Sequence, residues 1–193
     1  MDNKDSRFKE LLREASWYRF FSLCFQPPRE SLKGEIEAIC KELGKEKNFF
    51  KSLLNKEDLE DRHHRTIGSG GVCSPCESEY IGDRLGGKGK ILADVAGFYR
   101  AFSFNPQIEL RDSADNIAIE LSFMSYITLK LAYAFFRDEK EEMEICSDGR
   151  EKFQKEHLSL WIHLFAKKLN EVAEGSFYER IAMMVEDFVK IGS

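Results

Sequence analysis

Apolar residues recur every three or four positions along most of this chain, and no run of useful length alternates polar and apolar. Phe8, Leu11, Leu12, Ala15, Tyr18, Phe21 and Leu23 predict a helix over 6–24. Pro27 and Pro28 break it. Leu32, Ile36, Ile39 and Leu43 predict a second helix over 29–43 that stops near Gly44. A weaker helical piece is expected over 46–60, around Phe49, Phe50, Leu53 and Leu54.

The texture changes at 62–90. Seven of the thirteen glycines fall between Gly68 and Gly89, together with Pro75, which predicts a flexible loop with at most a short helix around Glu77–Arg84. Helical period returns over 90–103. After the connector "FNPQIELRDSADN", a long helix is expected over 112–136, another over 150–173 and a last over 176–191. In the 150–173 helix, Phe153, His157, Trp161, Leu164, Phe165 and Leu169 lie on or near one face. The pattern predicts an all-α, single-domain helical bundle of about seven to nine helices over residues 1–193.

The 112–136 segment is apolar nearly all round, which places it at the centre of the bundle. Its length would cross a bilayer, but Glu120 and Lys130 inside it favour a core helix over a stable membrane insertion. Its first turn is the exception to the apolar rule. Ser113, Asn116 and Glu120 form a polar stripe at helical spacing, with Asp112 or Ser113 as candidate caps. Such a stripe is either a capping cluster or the polar mouth of a ligand groove.

Composition narrows the function. Sixteen phenylalanines against four prolines suit a helical core with bulky aromatic packing. A net charge of −5 without a long basic run argues against nucleic acid and suits a basic partner better. The first residues lack a signal-peptide pattern and the five cysteines lack framework spacing, so a cytoplasmic setting is expected.

The segment "HHRTIGSGGVCSPCESEY" brings His63 and His64 near Cys73 and Cys76. Two histidines and two cysteines are ligand types of structural zinc, but adjacent histidines rarely turn to one metal. A redox dithiol normally sits in a βαβ context, which this chain lacks. "RLGGKGK" has no preceding strand and no G-K-[ST] ending, so a phosphate-cradling loop is weakly supported. No nucleophile–base constellation stands out and no cofactor is implied, so the chain is expected not to be an enzyme.

Three segments, in order, resemble the TorD/DmsD/NarJ family of redox-enzyme maturation proteins. They are "SPCESEYIG" (74–82), "LADVAGFYRAFSF" with "LRDSADNIAIELSFMSYI", and "FQKEHLSLWIHLFAKKL" with "SFYERIAMMVEDFV"; the early "YRFFSLCFQPP" is of the same type. The resemblance covers most of the chain from Trp17 onward. It implies a TorD-like helical fold without catalytic activity. It also implies partners: the twin-arginine leader peptide and the apo form of a molybdenum oxidoreductase subunit, held in the cytoplasm until its cofactor is inserted.

A leader combines basic residues with an apolar stretch, so its receptor needs acidic groups beside an apolar groove. On that reading Glu79, Asp112, Asp115 and Glu120 supply charge, Asn116 keeps hydrogen-bonding capacity, and Tyr80, Phe98, Tyr99, Phe102, Phe123 and Met124 supply wall. The chain departs from the family's acidic-Pro-x-Asp-His turn: Ser113 stands for Pro and Asn116 for His. The alternative is a small helical metal- or redox-sensing protein built on His63, His64, Cys73 and Cys76. Monomer and homodimer both remain open.

Overall fold

The computed structural model describes residues 2–191 except 46–48, 55–58, 69, 85 and 107–112. Its helices are α1 (Asp2–Phe25), α2 (Leu32–Glu42), α3 (Phe49–Leu54), α4 (Leu59–Thr66), α5 (Ser78–Ile81), α6 (Lys88–Ala101), α7 (Ile117–Arg137), α8 (Lys140–Phe153), α9 (Ser159–Val172) and α10 (Phe177–Ile191). A 3-10 turn follows α5 at Gly82–Arg84, and a π turn at Gln154–Leu158 joins α8 to α9. Among the described residues there is no strand, only an isolated antiparallel bridge between Cys76 and Asn116. The protein is all-α.

The frame is the antiparallel pair α1 and α7. Ser22 donates to the Ala118 carbonyl and Ser125 to the Ala15 carbonyl, both at 2.8 Å, while Phe8 meets Tyr133 and Phe136 at the far end. These two bonds fix the register of helices whose contact is otherwise non-directional packing. Helix α7 is long and apolar enough to cross a membrane, but 67% of its most apolar window is buried inside the protein. Besides α1 it packs chiefly on α8, so it serves as the core rod that its sequence pattern predicts. One side chain row, Leu129, Tyr133 and Phe136, stays exposed.

Three boundaries differ from expectation, each for a local reason. Helix α7 begins at Ile117 and not at 112, because the cap is Asn116, whose side-chain oxygen accepts from the Ala118 N–H at 2.8 Å. The cap expected at Asp112 lies outside the described residues; Ser113 precedes the turn. Helix α8 was not foreseen: its stripe is only Cys146, Gly149 and Phe153, too narrow for a clear period and interrupted by glycine. Helix α4 runs to Thr66, into the segment expected to be loop.

Beyond α4 the chain turns back on itself. Val72 and Cys73 donate to the carbonyls of Arg65 and Thr66, satisfying the end of α4. Gly71 lies so near this end that a Cβ would sit 2.6 Å from the Thr66 carbonyl oxygen. Only glycine fits there.

The helical run from Lys140 to Val172 is interrupted by its π turn. Phe153, His157, Trp161, Phe165 and Leu169 are all buried and repeat every four residues. In an α-helix each such step overshoots one turn by about 40°. The wider i→i+5 turn takes up part of that drift between α8 and α9.

Candidate functional site

The segment 74–78 is docked onto the start of α7 by main-chain bonds. Ile117 donates to the Pro75 carbonyl at 2.8 Å and Glu77 to the Asp115 carbonyl at 2.9 Å. In return, the Asp115 carboxyl accepts from the Ser78 N–H at 2.9 Å, at the first turn of α5. Asp115 therefore ties the loop to the helix, and the region expected to be loose is held at this point by both backbones.

This docking buries a cluster of acidic groups. Glu77, Asp115 and Glu120 are 0% exposed, and His157 is 2% exposed. His157 Nδ1 lies 3.1 Å from both carboxyl oxygens of Glu77. On its other side, His157 Nε2 faces Asp94 at 3.5 Å, long for a hydrogen bond, and the Asp94 side chain is 59% exposed. Trp161 Nε1 donates to Glu120 at 3.1 Å. The Glu120 carboxyl is pushed well above the usual range, first by burial and then by the charge of Glu77, to which it also hydrogen-bonds. Burial beside Glu77 thus favours the protonated form of Glu120. The cluster joins three distant segments: the 74–78 loop, α7 and the π turn.

Aromatic rings enclose it. Tyr80 stacks on Trp161 with centroids 5.5 Å apart, and its hydroxyl donates to the Ser74 carbonyl at 2.8 Å. Phe98 and Phe153 pack against the His157 ring at 5.5 and 5.0 Å. The Tyr99 hydroxyl donates to the Ala114 carbonyl at 2.9 Å, and the ring packs on Phe123 and Phe104.

The site residues named from sequence therefore divide. Tyr80, Phe98, Tyr99, Asp115, Asn116, Glu120 and Phe123 are brought together around this cluster. Asp115 and Glu120 are enclosed, not presented to solvent, because each satisfies an internal donor. Met124 is fully buried in the core. Phe102 is half-buried and lies over Gly149, where a Cβ would come 2.1 Å from its ring. Glu79 is exposed and pairs with Lys88 at 3.0 Å. Asp112 lies outside the described residues.

The cysteine–histidine segment does not converge. His63 is buried against the Tyr178 ring, with its pKa lowered chiefly by that burial, whereas His64 is exposed. Cys73 is buried and 3.3 Å from the Tyr80 hydroxyl. Burial pushes both thiols up, that of Cys76 to about 12 with help from the Asp115 charge. Low thiolate content is the opposite of what a redox dithiol needs. Among the described residues no three His, Cys, Asp or Glu side chains form a metal-holding group.

Two open grooves border α7. The larger, about 870 Å³, lies between the end of α1 and the α6–α7 connection, with Pro27, Phe104, Pro106 and Tyr126 among its walls and Arg19, Arg29 and Glu35 at one side. The smaller, about 350 Å³, continues from Tyr126 and Leu129 past Tyr133 to Glu139 and Glu142.

Comparison with known proteins identifies this architecture. Residues 30–167 match the sequence model of the nitrate reductase delta subunit family. The chain belongs to that family. This is the grouping of redox-enzyme maturation proteins to which the three sequence segments pointed. A perchlorate reductase assembly chaperone protein from Dechloromonas aromatica (strain RCB) is 27% identical over 104 residues, 51% of this chain and 43% of its own length. The match thus spans less than half of that relative. A protein from Archaeoglobus fulgidus, whose crystal structure is described as that of a redox enzyme maturation protein, shares the fold. Its TM-score is 0.61 at 21% identity, over 91% of this chain and 93% of that one.

Within this member of the family, sequence reasoning underrated three members of the buried cluster. Glu77 stood only within a short expected helix and a resembling segment, and His157 and Trp161 only as positions on or near one face of the 150–173 helix. A signal was available for one of them: Glu120 sits between Ile119 and Leu121 in an apolar helix, and a carboxyl buried there needs a donor such as Trp161.

Proposed function

We propose that this chain is a maturation chaperone for a molybdenum-containing oxidoreductase. It binds the twin-arginine leader, the apo catalytic subunit, or both, in the cytoplasm, and holds the subunit until its cofactor has been inserted. It acts by binding and not by catalysis, as one domain with no cofactor of its own. The observation that carries this reading is the family match over 30–167, on a fold shared with a redox enzyme maturation protein.

Physical features support it. The polar cluster is sealed from solvent, so it offers no substrate a place to react, whereas open grooves with apolar walls flank α7. Of the residues expected to contact a peptide, Glu79, Tyr80, Phe98 and Phe102 retain exposed surface. Tyr99, Asp115, Asn116, Glu120, Phe123 and Met124 shape that surface from beneath.

Calorimetric titration with a panel of twin-arginine leader peptides tests the proposal, each peptide paired with a version whose two arginines are alanine. Binding at micromolar Kd or tighter that weakens at least tenfold on arginine replacement is expected. Absence of binding by every leader, together with no capture of an apo oxidoreductase subunit co-expressed with the chain, would overturn it.

A further inference from the structure

Of the acidic groups first expected to meet a basic leader, Asp115 and Glu120 are buried and Glu79 is already paired with Lys88, which directs the search for the receiving charge to another surface. Leu129, Tyr133 and Phe136 are 38%, 48% and 54% exposed and follow one another at helical spacing on α7. The other large exposed apolar residues among those described sit singly, Val72, Ile145, Leu160 and Met183 each on a different element. Only on α7 do several share a face. Leu129 and Tyr133 of that row line the smaller groove, which shares Tyr126 and Leu129 with the larger one.

The charge beside this row is specific. At its far end α7 stops at Asp138, in the left-handed conformation, and α8 starts at once. This corner exposes Asp138, Glu139, Glu141, Glu142 and Glu144 against two basic residues, Arg137 and Lys140, and Glu139 and Glu142 line the groove itself. Of the cations on the groove wall, Arg137 faces Glu139 at 4.0 Å and Lys130 lies over the Tyr126 ring at 5.8 Å. At the opposite end the polarity reverses: Arg19 and Arg29 both reach Glu35, at 3.7 and 2.8 Å.

We infer that the exposed face of α7 is the leader-docking surface. The two arginines settle on the Glu139–Glu142 corner, and the apolar run lies along Tyr133, Leu129 and Tyr126 toward Phe104 and Pro27. The occupant is a peptide segment with cations at one end of an apolar stretch, because acidic rim and apolar floor adjoin here in that order. This assignment rests on the leader-binding reading above and names its surface and direction.

The test uses the full chain and the tightest leader of the panel. Tyr133→Ser and the double substitution Glu139→Lys with Glu142→Lys are each expected to weaken binding about tenfold. Met183→Ser, an exposed apolar control on α10, leaves binding unchanged. A leader whose arginines are replaced by glutamate should bind the double variant better than it binds the native chain. Circular dichroism checks that each variant folds; these side chains are exposed, so loss of fold is not expected. Native binding that survives all the α7 and α8 substitutions would overturn the surface while leaving the leader reading intact. No leader binding by the native chain would overturn that reading and the surface with it. Substitutions that change only the sedimentation behaviour, with leader affinity untouched, would make the face a contact between two copies and also overturn the proposal.

Discussion

His157 and Glu77, 80 positions apart, meet in the interior with the imidazole Nδ1 3.1 Å from both carboxyl oxygens. The contact locks the π turn to the 74–78 loop, and through that loop to the start of α7. Replacing His157 with alanine leaves a fully buried carboxyl without its partner, which costs about 2–3 kcal/mol. Urea unfolding should report that loss, with His157→Gln recovering part of it through its amide donor. A loss below about 0.5 kcal/mol, the scale of a surface substitution, would mean the pair contributes nothing net to stability.

Glu120 gives the chain a distinctive pH dependence. Its folded-state pKa is raised by burial and by Glu77, so its stabilising contribution is complete below the unfolded value, about 4.3, and is lost as pH rises toward the folded one. Glu120→Gln keeps an acceptor for Trp161 and a donor for Glu77 but does not titrate. Between about pH 4.3 and the folded pKa, the native protein should lose about 1.4 kcal/mol per pH unit relative to this variant. Parallel stability curves for the two proteins from pH 5 to 8 would show that Glu120 ionises normally.

The thiols offer a kinetic readout. With Cys76 at about 12 and Cys73 also raised, both should react with iodoacetamide at pH 8 far more slowly in the folded chain than in urea. Mass spectrometry of tryptic peptides separates the two sites. Rapid alkylation of folded Cys76 would reopen a redox role for the loop.

Gly149 of α8 lies against the Phe102 ring at the end of α6. Gly149→Ala drives a Cβ to 2.1 Å from the Phe102 ring and should destabilise by about 1–3 kcal/mol. Adding Phe102→Leu removes the clash, so the double variant should be more stable than Gly149→Ala alone. Additive losses would mean that the ring is not what Gly149 accommodates.

How much of this was legible in the sequence depends on how far apart the partners lie. Helices α1, α2, α6, α7 and α10 follow from wide apolar stripes whose information is local. Helix α8 hides because its buried stripe is narrow and contains glycine. The start of α7 was misplaced because Asp112, Ser113 and Asn116 are all competent caps, and the choice is made by Pro75, whose carbonyl takes the Ile117 N–H. The same holds for Glu120, whose spacing with Ser113 and Asn116 marks a polar stripe, and for Asp115 beside it: whether they face solvent is settled by residues 74–78 and by Trp161. Apolar positions such as Phe123 and Met124 carried no sign of whether they belong to core or wall, since both need the same residue types.

The π turn at Gln154–Leu158 implies a sharp asymmetry in what this region tolerates during evolution. A residue lost within it lets the wide i→i+5 turn relax to an ordinary i→i+4 turn, so Trp161, Phe165 and Leu169 keep nearly the same facing. A residue lost within α9 itself meets no such slack and rotates every later position by about 100° relative to Trp161. Lineages of this protein should therefore tolerate a change of length at 154–158 more readily than anywhere else along the helical run from Lys140 to Val172.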